Sequence, residues 1–311
     1  MSTASRGGDD IAGGPHAVLT HRLTKRYGRD VALDGVDLRV PEGAVFALVG
    51  VNGAGKSTTL RLLMNIEQPD AGVAEVFGLE TTSHGPDARA RIGYVPERHE
   101  VGYPWMTCAR LVEHVAAYYP AWDHTYASEL ASALDLRMDR TVGSLSKGDA
   151  RRLQLSLAMA HRPPLLLLDE PTDGLDPIVR QRVLALLAEH LADHPTTVLI
   201  TTHHLHEVES LADHVGVLRA GRLAAQLSRE EVQRTVRRYR VELPERWEPP
   251  HGLAAAPPPR ARVSREIQWT VVGDERDVTE RLTSSGARVL EVSTLRLEEA
   301  ALALLPDERA R

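Results

Sequence analysis

The chain has 311 residues, 42% of them hydrophobic and 26% charged, a length that suits one large domain plus a smaller one and a composition that excludes wholesale disorder. Its formal net charge of −6 runs against a nucleic-acid partner, because phosphate-backbone recognition rests on clustered Lys and Arg. The single cysteine, Cys108, excludes an intramolecular disulfide or a cysteine metal cluster and fits a reducing, cytoplasmic compartment; no run approaches the roughly 18–20 apolar residues of a spanning helix, so any membrane must be crossed by another chain.

Residues 1–15 hold Gly7, Gly8, Gly13 and Gly14 and little to bury, and are expected to be a disordered tail. Short apolar stretches then follow, at Ala17 to Leu23, Val31 to Val40 and Ala44 to Val49, separated by Gly and Pro, which predicts a β-rich opening. Helical spacing over Gly55 to Met64, an apolar strand at Leu165 to Leu168, a proline-initiated helix over Pro177 to Leu191 and a strand at Val198 to Thr202 predict a parallel α/β core. Between about 98 and 143 the pattern is helical, with Thr107 to Tyr119 and His124 to Leu134 as candidate helices. Six of the thirteen aromatic residues fall there: Tyr103, Trp105, Tyr118, Tyr119, Trp122 and Tyr126. They are either a local core or an exposed contact surface. After Arg222 the chain is expected to leave the core, with a capping box at Ser228 and Glu231 and a Pro-rich linker over 244–262. Strand, helix, strand and helix over Glu266 to Val272, Asp274 to Ser284, Val289 to Val292 and Leu297 to Leu305 predict a small α+β accessory domain within 225–311.

The chemistry is concentrated in a few short motifs. Gly50-Val51-Asn52-Gly53-Ala54-Gly55-Lys56-Ser57 satisfies the P-loop pattern between a predicted strand and a predicted helix. Glycines at these positions let backbone N–H groups turn onto a polyphosphate, the helix N-terminus adds a positive dipole end, Lys56 reaches the β- and γ-phosphates, and the Ser57 hydroxyl ligates Mg²⁺. The stretch Leu165 to Glu170 is a buried strand delivering two carboxylates to its C-terminal end. There Asp169 is expected to hold the Mg²⁺ shell and Glu170 to orient or deprotonate the attacking water.

With these two motifs on the page, residues 17–224 resemble the ABC ATPases. Leu145-Ser146-Lys147-Gly148-Asp149 looks like the family's signature loop, usually Leu-Ser-Gly-Gly-Gln, with two of five positions changed. Ile92 to Glu97 resembles the segment ending in the Q-loop glutamine, here replaced by Glu97, which can approach Mg²⁺ or the lytic water but cannot donate an amide hydrogen bond. Gly174-Leu175-Asp176 is similar to the D-loop and Thr202-His203 to the switch histidine. Tyr27, 29 positions before Lys56, is either the aromatic that stacks on adenine or a plain strand-end tyrosine. His203, His204, His206 and Glu207 also offer a metal-site alternative, disfavoured because His203 has the better assignment.

The resemblance implies a P-loop NTPase fold of ABC type, a mixed sheet with helices plus a helical subdomain, over residues 16–224. It implies an Mg-ATP cradle made by Gly50, Asn52, Gly53, Ala54, Gly55, Lys56, Ser57 and Thr58, with Tyr27 beside it. Metal ligands would come from Ser57, Asp169 and Glu97, and catalytic groups would be Glu170, His203 and Glu97. Ser146, Gly148 and Asp176 would act on the nucleotide of a second ATPase subunit, homo- or heteromeric. The expected activity is ATP hydrolysis driving a separate membrane permease, in the manner of bacterial multidrug or peptide-antibiotic export systems, from a peripheral position on the inner face of the membrane. The alternative is a soluble ABC ATPase of repair, translation or regulation. Only 48 positions separate Glu97 from Leu145, too few for long coiled-coil arms, and one cassette is present where translation types carry two.

Overall fold

In the computed structural model, residues 14–99, 101–244, 247–248, 250, 253–255 and 265–303 are described. The expected tail lies outside them apart from residues 14 and 15, as does most of the expected 244–262 linker. The described residues fall into two compact units, one of 14–213 and 218–223, the other of 214–217 and the residues from 224 on.

In chain order the first unit contains β1 (His16–Tyr27), β2 (Asp30–Val36), β3 (Arg39–Pro41), β4 (Val45–Val49), α1 (Lys56–Leu63), β5 (Ala71–Val76), β6 (Leu79–Glu80), α2 (Gly85–Arg89), β7 (Ile92–Val95), α3 (Cys108–Ala116), α4 (His124–Ala133), α5 (Lys147–Met159), β8 (Leu165–Asp169), α6 (Pro177–Asp193), β9 (Thr197–Thr202) and α7 (Leu205–Val208). The single strand expected over Val31 to Val40 is broken after Val36, so that β2 and β3 pair with different stretches of β1. Gly35 sits at φ +66 just before the break. The helix expected from Gly55 begins one residue later, because Gly55 is left-handed at φ +108 and serves as its N-cap.

β1 lies between β2 and β5 in an antiparallel sheet. A second sheet holds four parallel neighbours in the order β4, β9, β8, β7. β4 is a continuous apolar run and β8 is four leucines ending in Asp169, and both are buried at every position, as parallel strands covered on both faces require. Phe46, Leu48, Leu60, Leu63, Leu165, Leu167 and Leu199 join strands and α1 in one core. The parallel register sets Val49 beside Thr202 and Asp169 beside Thr201, so the carboxyl ends of adjacent strands finish at one level. Ligands of open α/β sheets bind at that edge.

The helical segment has its own core of Cys108, Leu111, Val112, Val142 and Leu153. Its six aromatics divide evenly. Tyr119 stacks on His161 at 4.0 Å, Trp122 packs against the helical core, and Tyr126 lies between Arg162 and His190. Tyr103, Trp105 and Tyr118 are exposed, the latter two 71% each.

The second unit contains α8 (Arg229–Thr235), β12 (Val236–Glu242), β13 (Ala254–Ala255), β14 (Glu266–Val272), α9 (Glu275–Ser284), β15 (Arg288–Thr294) and α10 (Leu297–Ala303), reached through β10 (His214–Arg219) and β11 (Arg222–Ser228). The chain therefore continues as strand past Arg222. The Ser228–Glu231 capping box forms at the start of α8. β12 pairs antiparallel with β14 on one side and β15 on the other, and Tyr239, Val241, Trp269, Val271, Val278 and Leu282 fill the space between this sheet and α9.

Candidate functional site

Four loops carry the site, each leaving the carboxyl end of one of the parallel strands. The loop after β4 is Gly50 to Gly55. A Cβ on Gly50 would sit 2.4 Å from the Leu218 carbonyl oxygen, and one on Gly55 would sit 2.5 Å from the Ala32 carbonyl oxygen. Gly53 and Gly55 both have positive φ. Side chains are thus excluded where the backbone must curl over a ligand.

Lys56, 5% exposed, donates from Nζ to the Gly50 carbonyl at 2.8 Å and lies 3.3 Å from Glu170 Oε1. The same Glu170 oxygen is 2.9 Å from His203 Nδ1, and the His203 backbone N–H donates to Glu170 Oε2 at 3.4 Å. Glu170 itself holds φ +48, a left-handed conformation that costs a non-glycine residue about 1–3 kcal/mol, so the carboxylate is aimed by a strained backbone at the end of β8. Ser57 Oγ lies 3.1 Å from Asp169 Oδ1 and 3.3 Å from Glu97 Oε2. Burial is the main cause raising the Asp169 carboxyl above its ordinary value, reinforced by the charges of Glu97 and Glu170. A divalent cation would relieve that crowding, and hydroxyl plus carboxylate oxygens are the hard donors Mg²⁺ takes. The residues therefore fit the ion.

Tyr27, 43% exposed, closes one side: its hydroxyl donates to the Glu67 carboxylate and comes within hydrogen-bonding reach of buried Thr58, the second residue after Lys56. Burial, more than these partners, raises its phenol above the usual value. The His203–His204–His206 alternative does not form a cation site. His203 turns to Glu170, and among the described residues no three His, Cys, Asp or Glu side chains converge to hold a metal.

Ser146, Gly148 and Asp176 stand apart from this cluster. Ser146 is exposed and opens α5 through a capping box, its Oγ accepting from Asp149 N–H at 3.1 Å and lying 2.7 Å from Asp149 Oδ2. Asp176 is exposed and caps α6, accepting at 3.0 Å from the N–H groups of Ile178 and Val179. Gly148 differs from Gly50 and Gly55: a Cβ there would meet nothing closer than 3.7 Å.

Two groups escaped the sequence. Thr201 donates its hydroxyl to Asp169 Oδ1 from the neighbouring strand, and a threonine ending an apolar strand beside Asp169 was the available clue. Arg151, fully buried on α5, reaches the backbone of the Glu97 loop, a pairing no local pattern announces.

The ABC transporter family model matches residues 33–173. The ABC transporter ATP-binding protein YtrB of Bacillus subtilis is 35% identical over 212 residues, 68% of this chain and 72% of that protein. The daunorubicin resistance ATP-binding protein DrrA2 of Streptomyces coeruleorubidus is 36% identical over 299 residues, 92% of this chain and 91% of its own length. The chain belongs to the ABC transporter family. Among solved structures, the ATP-binding subunit of an ABC transporter superposes with TM-score 0.64 at 26% identity, over 70% of this chain and 92% of that one. A dimeric, post-hydrolysis ATP-binding cassette bound to ADP and Pi shares the fold, with TM-score 0.62 at 24% identity over 68% of this chain and 98% of the other. The chain is accordingly an ATP-binding ABC transporter ATPase, and membership decides against the soluble alternative. Among the described residues no helix is long and apolar enough to cross a membrane.

Proposed function

We propose that this ABC ATPase hydrolyses Mg-ATP between two protomers and that closure of the pair drives a separate membrane permease. The observation carrying this is Glu170 Oε1, shared by Lys56 Nζ at 3.3 Å and His203 Nδ1 at 2.9 Å. One carboxylate thereby meets both the lysine that reaches the terminal phosphates and the histidine of the neighbouring strand. Ser57, Asp169 and Glu97 would hold Mg²⁺, which when bound neutralises charge on the phosphate oxygens. The N–H groups of Gly53 to Lys56 and the Lys56 ammonium orient the phosphates. Glu170 accepts a proton from, or orients, the attacking water, and His203 stabilises the γ-phosphate side. Tyr27 lies against the base.

The second protomer is supported by Ser146 and Gly148. An exposed serine at a helix N-terminus, followed by a glycine that its own chain leaves room to replace, suits a surface shaped for something outside the chain. Asp176 acts across the same boundary. Tyr103, Trp105 and Tyr118 form an edge-to-face row with His114, with centroids 4.8–5.6 Å apart, and offer the permease an aromatic surface. The similarity to a daunorubicin resistance protein and to the bacitracin transport protein BcrA of Bacillus licheniformis, 31% identical over 224 residues, supports a role in transport, which we take to be export powered from the inner membrane face. Residues 16–224 form the cassette and 225–311 an accessory domain. The test is the ATPase rate of the purified chain with and without Mg²⁺: Lys56→Ala abolishes it, and unchanged turnover in that variant removes the phosphate assignment.

A further inference from the structure

α5 carries Ser146 at its start and, little more than one turn later, a side chain the ATP site does not use. Arg151 is 0% exposed, yet it is a guanidinium, a costly group to bury; its two terminal nitrogens are hydrogen-bonded, while its Nε has no hydrogen-bond partner among the described residues. Its hydrogen-bond partners are not carboxylates but two main-chain carbonyls of one short loop and one side-chain amide oxygen. Nη1 donates to the Pro96 oxygen and to Gln154 Oε1 at 3.2 Å, and Nη2 donates to the Glu97 oxygen at 2.8 Å. Gln154, on the same face of the helix, completes the set by donating from Nε2 to the Arg98 oxygen at 2.8 Å. Three successive carbonyls, 96 to 98, are thus tied to α5. The side chain of the middle residue is the carboxylate that reaches Ser57 Oγ at 3.3 Å. Burial holds the guanidinium below its ordinary value, and the negative charges of Asp169, Asp173, Glu97 and Glu170 offset only part of that cost.

A strap of this kind does two things. It removes the backbone freedom of the Glu97 loop, so a carboxylate substituted for the usual amide is held at one distance from Ser57. It also makes α5 and that loop move together, because a planar fork hydrogen-bonded to two carbonyls transmits both displacement and rotation. We infer that Arg151 is a positioning residue that couples Ser146, at the start of α5, to the metal-side carboxylate Glu97, so that contact made by Ser146 outside its own chain adjusts the metal shell inside it. This rests on the roles given to Ser146, Ser57 and Glu97 above.

The experiment compares wild type, Arg151→Lys and Arg151→Met in the full chain. Three quantities are measured: the Kd for ATP in EDTA, the Kd for ATP with saturating Mg²⁺, and the Mg²⁺ concentration giving half-maximal turnover. Arg151→Met is expected to keep the metal-free Kd within twofold, to lose at least fivefold of the tightening that Mg²⁺ brings, and to raise half-saturating Mg²⁺ at least fivefold. Arg151→Lys, which keeps the charge but not the fork, falls between. A purely structural role would weaken metal-free binding in parallel, and that result, or a wild-type Mg²⁺ response in Arg151→Met, overturns the inference. Where Arg151 variants do not fold, Gln154→Met removes one tie from the same loop; a twofold to threefold shift in Mg²⁺ half-saturation is expected, and none would overturn the inference. A wild-type chain that binds no ATP at all would instead overturn the underlying assignment of the site.

Discussion

Replacing Lys56 with Ala tests the site through stability as well as turnover. The Lys56 and Glu170 side chains are 6% and 8% exposed and 3.3 Å apart, so the substitution leaves a buried carboxylate with only His203 beside it. Breaking a buried pair by removing one partner costs about 3–5 kcal/mol; with His203 Nδ1 still at 2.9 Å to share the carboxylate, the cost falls just below that range, about 2–3 kcal/mol. At about 2–4 °C per kcal/mol for a domain of this size, Lys56→Ala should melt about 4–12 °C below wild type in nucleotide-free buffer. Adding Glu170→Gln removes the stranded charge. The double variant should recover at least half of the loss, a coupling of at least about 1 kcal/mol in a double-mutant cycle. Thermal unfolding followed by circular dichroism reads all four corners. If Lys56→Ala melts with wild type, or if the two losses simply add, the buried pair does not exist as described.

Burial, helped by the neighbouring His194 and Arg162, lowers the His190 imidazole to about 4, and its ring nitrogens are held by the Tyr126 hydroxyl at 2.8 Å and Thr196 Oγ1 at 3.2 Å. A histidine whose folded-state pKa is depressed loses stability as pH falls from its unfolded value near 6.5 toward about 4; at pH 5 the loss amounts to about 2 kcal/mol. The melting difference between wild type and His190→Gln should therefore shrink by about 4–8 °C between pH 7.5 and 5, and a constant difference would show that the ring does not titrate in this way. Ser146→Ala removes both the hydroxyl and the cap of α5, whereas Asp149→Ala leaves the hydroxyl in place and removes the reciprocal half of the capping box together with the ion pair to Arg152. Each should cost about 1 kcal/mol of stability, with turnover lost in Ser146→Ala and kept within threefold in Asp149→Ala. Equal losses of turnover would assign the effect to the helix start.

Much of the site is legible in the sequence because its chemistry is local. Gly50, Gly53 and Gly55 precede Lys56 in a loop where steric clash or positive φ demands glycine, so pattern and geometry coincide. The four leucines before Asp169 spell a strand buried on both faces. What the sequence hides is long-range. Arg151 bonds to carbonyls 54 and 55 positions away, and backbone oxygens leave no mark on residue type. Glu170 at positive φ has no sequence signature, since it is set by what surrounds the end of β8. β12 escaped although Val236, Tyr239 and Val241 are its buried positions, because three arginines among its seven residues blur the alternation. The aromatic-rich segment left two readings open, and both are right for different residues: packing decides for Tyr119, Trp122 and Tyr126, exposure for Tyr103, Trp105 and Tyr118.

The most direct measurement is the structure of Glu170→Gln soaked with ATP and Mg²⁺. Two chains should enclose two nucleotides, each with its terminal phosphates at Lys56 of one protomer and within hydrogen-bonding distance of Ser146 of the other, and gel filtration should show that dimer only with ATP. A monomer with ATP bound, or a nucleotide lodged away from Gly50 to Ser57, would contradict the proposal.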